Sequence, residues 1–221
     1  MAWWWAVTMI ASPVLADAPA AKTSFDFSVG GVALTLPLPA GYCLPTGKAA
    51  AVAELIAAGD TNSVTHVTLK RCDIDLGTGS NDYTLIKTPT SALMTTIDRP
   101  ALIKALGDQF ADPVTLAQLA ASLSDGKAGK DVSEVLHAKV EIKGDIKPLG
   151  HDDVCAYLGG QVNVKAEGAG YLQPTAVCIT SVGSKVVTIS RYGTDLKPAA
   201  IVSLMRDARQ IAETLRLARA K

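Results

Sequence analysis

Tryptophan is missing from every position after residue 5, and the whole chain carries only five Tyr and three Phe. Eight such aromatics are too few to suggest a platform for stacking bases or sugars. Neither sign of charge is in excess, since Lys+Arg and Asp+Glu are both 21. A neutral chain has no general electrostatic pull toward nucleic acid or anionic lipid, so neither is expected as a partner. After residue 22 no apolar run approaches the ~20 residues that a spanning helix takes. Catalytic signatures are missing too: there is no G-x-S-x-G, no H-E-x-x-H and no S-x-x-K with its partner motifs. Gly47-Lys48 and Gly129-Lys130 fail the phosphate-loop pattern, because no glycine sits five residues earlier and no Ser or Thr follows.

The chain does have an uncharged opening stretch, WWWAVTMIASPVLA, running 14 residues from Trp3 to Ala16. That length fits the core of a signal peptide, about 7–15 residues, and falls short of a span. Small residues at Val14-Leu15-Ala16 and Ala16-Asp17-Ala18 suit cleavage, and no Cys follows to take a lipid anchor. Residues 1–18 are therefore expected to be a signal peptide. A single domain over 24–219 follows it, a length that can bury about 70% of its unfolded surface without a metal or cofactor. The expected location is the periplasm or the extracellular space, with no membrane association after cleavage.

Four cysteines, Cys43, Cys72, Cys155 and Cys178, lie too far apart for a C-x-x-C redox motif or a zinc knuckle. An even count at wide spacing in an exported chain suggests two disulfides. Of the three pairings, Cys43–Cys72 with Cys155–Cys178 is expected, because each joins neighbouring elements. In the chain-entropy model each loop contributes about 3.5 kcal/mol.

Periodicity orders the rest. FDFSV-GG-VALTLPLP reads as a hairpin about Gly30-Gly31, with Pro37 and Pro39 ending its second strand. AAAVAELIAAG is helical, closed by Gly59 as a C′ residue. SVTHVTLKRCDI and YTLIKTP read as partner strands. Asp98 and Asp112 cap helices near 99–110 and 113–124. SDGKAGK (124–130) is the most loop-like stretch, and DVSEVLHAK adds a helical turn or two. VEIKGDI, DVCAYLGGQVNV, YLQPTAVCITSV and KVVTISRY are four consecutive strands. A turn centred on Ala166-Glu167 would set Cys155 opposite Cys178, and Gly183-Ser184 turns the last pair. From Pro198 one apolar face (Ile201, Leu204, Met205, Ala208, Ile211, Ala212, Leu215) marks an amphipathic C-terminal helix. Arg216, Arg219 and Lys221 are expected at its negative end. Strands grouped at both ends, with helices between and after, give an α+β fold: a mainly antiparallel sheet with helices packed on its faces.

The hairpin running into PAGYC, the meander CAYLGG … AVCITSVGSKVVTISRYGT and the closing helix AAIVSLMRDARQIAETLR resemble the PsbP-like and DcrB-like superfamily in element order. The resemblance covers nearly the whole mature chain and implies a three-layer α/β/α sandwich with a non-enzymatic accessory or binding role. It transfers no functional residue.

Two constellations could carry chemistry. Asp73, Asp75 and Asp82 surround glycines in DIDLGTGSND, as oxygen ligands do in a calcium loop, but Gly77 stands at the third ligand position and no Glu closes it. A solvated turn is the expected reading, with no metal and no cofactor. GHDD sets His151 beside Asp152 and Asp153, yet adjacent strand residues point to opposite faces. His66 and His137 pair with nothing by spacing. The expected function is thus a soluble, non-catalytic binding or accessory protein of the bacterial envelope, whose partner is a protein or a small ligand held between helices and sheet. The 77–82 turn and the 124–131 loop are the first places to look. The rivals are a periplasmic hydrolase around His151 and Asp152, and a structural protein tethered by an uncleaved N-terminus.

Overall fold

A computed structural model describes residues 23–74, 82–124, 127–136, 139–166 and 169–219. The leader thus lies outside the described residues, as do most of the 77–82 turn, Asp75 and His137.

The chain opens with β1 (Ser24–Val29) and β2 (Val32–Pro37), the hairpin expected from Gly30-Gly31, whose φ values are +52 and +82. Two successive positive φ angles make the tight hairpin turn that glycine takes without strain. After it come β3 (Tyr42–Cys43), α1 (Lys48–Ala58), β4 (Ser63–Arg71), β5 (Tyr83–Pro89) and a 3-10 turn (Thr90–Ala92). Three helices follow, α2 (Arg99–Ala111), α3 (Pro113–Ser124) and α4 (Lys127–Leu136). The last third is β6 (Val140–His151), β7 (Ala156–Ala166), β8 (Ala169–Val182), β9 (Lys185–Tyr192), α5 (Pro198–Thr214) and β10 (Arg216–Leu217). The fold is α+β. One sheet has the order β1-β2-β10 and the other β3-β4-β5-β9-β8-β7-β6, with every pair antiparallel.

Alternation along each strand divides the large sheet into two unlike faces. One face presents Val67, Leu69, Ile86, Cys178, Val187 and Ile189 to Val29, Leu34 and Leu36 of the hairpin and to Ala208, Ile211, Ala212 and Leu215 near the end of α5. That interface is the main core. The opposite face carries Tyr83, Lys87, Thr188, Ser190 and Tyr192 and supports α1 to α4. Helices on both faces make the three layers that were expected.

Caps account for the helix starts. The Asp98 side chain accepts from Ala101 N at 2.8 Å, and Asp112 accepts from Val114 N (3.2 Å) and Thr115 N (3.1 Å). Each satisfies a donor that the first turn leaves open. Gly59 ends α1 but with φ −73°, so its freedom to adopt positive φ is not used there.

Four expectations are corrected. The 124–130 stretch is no loop from Lys127 onward, because α4 begins there and runs to Leu136. Gly129, inside that helix, is a close-approach residue. A Cβ there would lie 2.8 Å from Ile142 N and 2.9 Å from Val140 O of the edge strand β6. Ser133 Oγ then accepts from Val140 N at 2.8 Å and lies 3.0 Å from Val140 O, so α4 covers the start of the edge. The strand β4 stops at Arg71 rather than continuing through Ile74, since β3 pairs with it only through Tyr42↔Arg71 and Cys43↔Lys70.

The helix α5 ends at Thr214, and Arg216 is in a strand, not at a helix terminus. Leu215, 4% exposed, drops into the core and turns the chain, so that Arg216 and Leu217 pair with Thr35 and Leu34. The β7–β8 register is Ala166↔Ala169, one residue later than expected at the turn, and it sets Tyr157 opposite Cys178. The Cys155–Cys178 bridge forms diagonally, with Cα atoms 5.2 Å apart, because Cys155 lies just before β7 where the chain doubles back. Cys43–Cys72 repeats that geometry at 5.1 Å, since Cys43 opposes Lys70 and bridges two residues further on.

Replacing Gly129 by Ala forces a methyl against two backbone groups that have no side-chain freedom to yield. Overpacking of this kind costs about 1–3 kcal/mol. Gly129→Ala is expected to lower the urea midpoint and to speed amide exchange in α4 before other helices, whereas a true loop glycine would tolerate the change.

Candidate functional site

His151, the centre of the rival hydrolase reading, lies at the end of β6, on the face that meets α2. There a cleft of about 610 Å³ is lined by Lys104, Gly107 and Asp108 of α2 and by His151, Asp152 and Asp153. The imidazole lies over Gly107, where a Cβ would come within 3.0 Å of the ring. Among the described residues His151 has no hydrogen-bond partner. Lys104 is tied to Asp108 at 2.7 Å along its own helix.

Asp152 does not serve His151. Its Oδ1 accepts from Val154 N and Cys155 N, both at 2.8 Å, and its Oδ2 accepts from the Tyr157 hydroxyl at 2.7 Å. Arg209 Nε adds charge at 3.1 Å from Oδ2 without hydrogen-bond alignment. Burial by itself would raise this carboxyl, but the donors from Cys155, Tyr157 and Val154 and the Arg209 charge outweigh it and hold it below its ordinary value. The same bond, after burial, pushes the Tyr157 phenol up. Asp153 turns outward to Arg209 at 3.2 Å. The GHDD run therefore supplies one unpartnered imidazole and a carboxylate that fixes the turn into Cys155.

The metal candidates separate. Asp73 pairs with Arg71 at 3.2 Å, and that hydrogen bond leads the depression of its carboxyl. Asp82 meets Arg191 at 3.1 Å, and Asp75 lies outside the described residues. Among the described residues no three His, Cys, Asp or Glu side chains are grouped to hold an ion. His66 is structural: Phe27 stacks on it at 5.3 Å, and its Nε2 lies 3.0 Å from Thr88 Oγ1. Since Thr88 Oγ1 donates to Val186 O, it accepts from His66, and burial lowers the imidazole pKa.

What sequence reading missed is a tyrosine cluster on the helix-bearing face of the sheet. Tyr83 and Tyr192 are directly opposed across β5 and β9, and their rings stack with centroids 4.5 Å apart. Tyr171, on the same face of β8, is 44% exposed. Burial first, then the neighbouring phenols of Tyr192 and Tyr171, holds the Tyr83 phenol well above its ordinary value. None of these three hydroxyls has a hydrogen-bond partner among the described residues. Lys87, two positions along β5 from Leu85 and on the same face as Tyr83, reaches Asp60 at 2.7 Å, with side chains 15% and 27% exposed. Ala49 and Ala53 of α1, with Val52 beside them, pack against Tyr83. The aromatics looked too few because only the β5–β9 pairing, more than a hundred residues apart in sequence, gathers them.

Behind that floor lies Arg191, 3% exposed at its side chain. Its Nη1 donates to Asp82 Oδ1 (3.1 Å), Tyr83 O (3.0 Å) and Thr84 Oγ1 (3.1 Å), and the guanidinium lies 5.0 Å from the Tyr42 ring centre. Asp207 of α5 closes the set at 3.5 Å. This cation ties β3, β5, β9 and α5 together, and its bonds are internal.

No family model matches the chain, and no curated protein sequence matches it. Among solved structures the chain is similar to the solution structure of cyanobacterial PsbP (CyanoP) from Synechocystis sp. PCC 6803. The two are 11% identical, the match covers 94% of this chain and 100% of that one, and the TM-score is 0.39. A superposition at that level carries no argument, so the PsbP-like and DcrB-like reading rests on the sequence resemblance.

Asp152 provides a test of structural against catalytic use. Its carboxylate stabilises the fold when ionised, so its contribution is complete above the unfolded carboxyl pKa of about 3.9 and fades as pH falls through its lower folded value. Charge-assisted bonds to a partly exposed group amount to on the order of 2 kcal/mol. Asp152→Ala is expected to lose that much at pH 7, with wild type and variant converging as the pH falls through the lowered carboxyl pKa. A difference that stayed constant with pH would show that the charge is not what matters.

Proposed function

We propose that this chain is an exported accessory protein of the bacterial cell envelope that acts by binding and not by catalysis. The observation that carries the reading is the closure of all four cysteines into two bridges, Cys43–Cys72 and Cys155–Cys178, with none left free. Bridges of this kind form and persist in oxidising compartments. No helix among the described residues is long and apolar enough to cross a membrane, which fits release after export. The hydrolase alternative needs His151 within reach of a second polar group, and Asp152 is taken up by three other donors and the Arg209 charge. A binding role asks only for a cleft with a polar group not already satisfied, and among the described residues the cleft lined by His151 has one.

The test is to express the chain with its own N-terminus in a Gram-negative host, fractionate the cells and map peptides without reductant. The expected product lies in the periplasmic fraction, begins after Ala16 or Ala18, and contains the two linked peptide pairs. Assayed on ester, phosphoester and peptide substrates, it should show no turnover that His151→Ala abolishes. A full-length cytosolic product with alkylatable thiols, or hydrolysis that depends on His151, would overturn the proposal. A full-length membrane-bound product would instead select the tethered reading.

A further inference from the structure

We infer that the Cys43–Cys72 bridge is a redox-controlled clasp: a dithiol reductant opens it while Cys155–Cys178 stays closed, and its opening releases β3 from the sheet. The inference goes beyond the binding reading and needs only the oxidised protein. The two bridges sit in opposite surroundings. Cys155 and Cys178 are both 0% exposed, inside the main core. Cys72 is exposed and Cys43 half-buried, at the outer end of the large sheet where β3 pairs with β4. Exchange needs a thiolate to reach a sulfur, so an exposed bridge is labile and a buried one waits for the protein to open.

Charge favours the same bridge. Cys43 is directly opposite Lys70, so their side chains share one face, and Cys72 bridges to it from two residues further on. The Lys70 ammonium donates to Arg71 O and Ile74 O, carbonyls on either side of Cys72. A cation held there favours the thiolate at either sulfur. The neighbour of Cys155 has the opposite sign, since Cys155 N donates to the Asp152 carboxylate. The exchange begins when a thiolate of the reductant attacks Cys72 Sγ. The bridge S–S bond breaks, and Cys43 leaves as a thiolate that takes a proton from water. The reductant's second thiol loses its proton and attacks the mixed disulfide, and Cys72 leaves and is protonated in turn. Two electrons and two protons thus pass from the dithiol, which ends as a disulfide, to two cysteine thiols.

What the clasp holds is small. Besides the bridge, β3 is joined to β4 by its two register pairs and by Cys72 N, which donates to Gly41 O at 2.9 Å. Gly41 and Gly47, with φ +79° and +55°, bound the segment, and backbone swings there carry no side-chain penalty. Tyr42, beside Cys43, faces the other way, where its ring centre lies 5.0 Å from the Arg191 guanidinium. The closed bridge therefore fixes Tyr42 over that buried cation, and the open one leaves it held by packing and short pairing alone. Since β3 is the outermost strand of its sheet, its release makes β4 the edge, with unpaired N–H and C=O groups. The β5–β9 pairing, the core under α5 and Cys155–Cys178 do not pass through β3, so they survive the opening.

The experiment treats the exported, oxidised protein with dithiothreitol in native buffer, quenches aliquots with iodoacetamide and maps the alkylated cysteines by mass. Cys43 and Cys72 should be alkylated together, at least about a hundredfold faster than Cys155 and Cys178, whose access requires global opening. The singly bridged product should still unfold cooperatively. Its amides over residues 41–47 should exchange at least about tenfold faster than in the oxidised protein, with β8, β9 and α5 unchanged. Oxidised glutathione should reclose that pair and restore the protection. Lys70→Gln should slow the first reduction about three- to tenfold, and Lys70→Arg should keep the rate. Opening of both bridges at one rate overturns the clasp, because reduction would then pass through global unfolding. So does a singly bridged product whose residues 41–47 stay as protected as before, or one that no longer unfolds cooperatively. These results leave the binding reading untouched, whereas thiols that alkylate before any reductant is added remove the reading of an exported, bridged protein.

Discussion

The pairing of β5 with β9 is the constraint on which the rest of the molecule depends. It joins the first half of the chain to the last and sets the register Tyr83↔Tyr192, Thr84↔Arg191, Leu85↔Ser190 and Ile86↔Ile189. Successive pairs point to opposite faces, so one step of register places the tyrosine stack toward α1 and the next places Arg191 toward α5. A slip by one residue would exchange them. If β9 slips, Val187 and Ile189 leave the core and Thr188 and Ser190 enter it. Each aliphatic side chain lost from a core costs about 1.5–3 kcal/mol, so two of them already rival a total stability of 5–15 kcal/mol. Arg191 reinforces the choice, because its donors reach Asp82, Tyr83 O and Thr84 only in this register.

From that pairing follows a division of labour between the faces. The α5 side is apolar and continuous from the hairpin to the sheet, and β10 closes it by returning the chain to β2. Both disulfides lie at strand ends, each bridging diagonally by two residues, where pairing alone would fray. The helix side is different in kind. Under α1 the buried apolar contribution is two alanines, and what fills the space is tyrosine, lysine and aspartate.

Much of this was legible in the sequence because the signals are local. Gly30-Gly31 and Gly183-Ser184 specify turns through positive φ, Asp98 and Asp112 specify helix starts through backbone donors, and the apolar stripe from Ile201 to Leu215 specifies the face that α5 buries. The cysteine pairing followed from proximity of elements even though the register differs by two residues from the one expected at Cys155. The failures are all tertiary. Gly129 looks like loop composition until β6 is placed against it, and Arg216 looks like a helix end until Leu215 finds the core. The tyrosine stack was invisible for the same reason: YTLIKTP and SRY reveal their shared chemistry only when paired. His151, conspicuous in sequence, proved to stand apart from the carboxylate beside it.

Native-state hydrogen exchange measures the contrast between the faces most directly. The account predicts that amides of β5, β9 and α5 exchange only through global unfolding, with rates that rise with denaturant. Amides of α1 should exchange through local opening at a free energy several kcal/mol lower, at least about a hundredfold faster and nearly independent of low denaturant. Equal protection of α1 and α5, with the same denaturant dependence, would contradict the account, because the helix over the tyrosines would then be as firmly held as the core beneath α5.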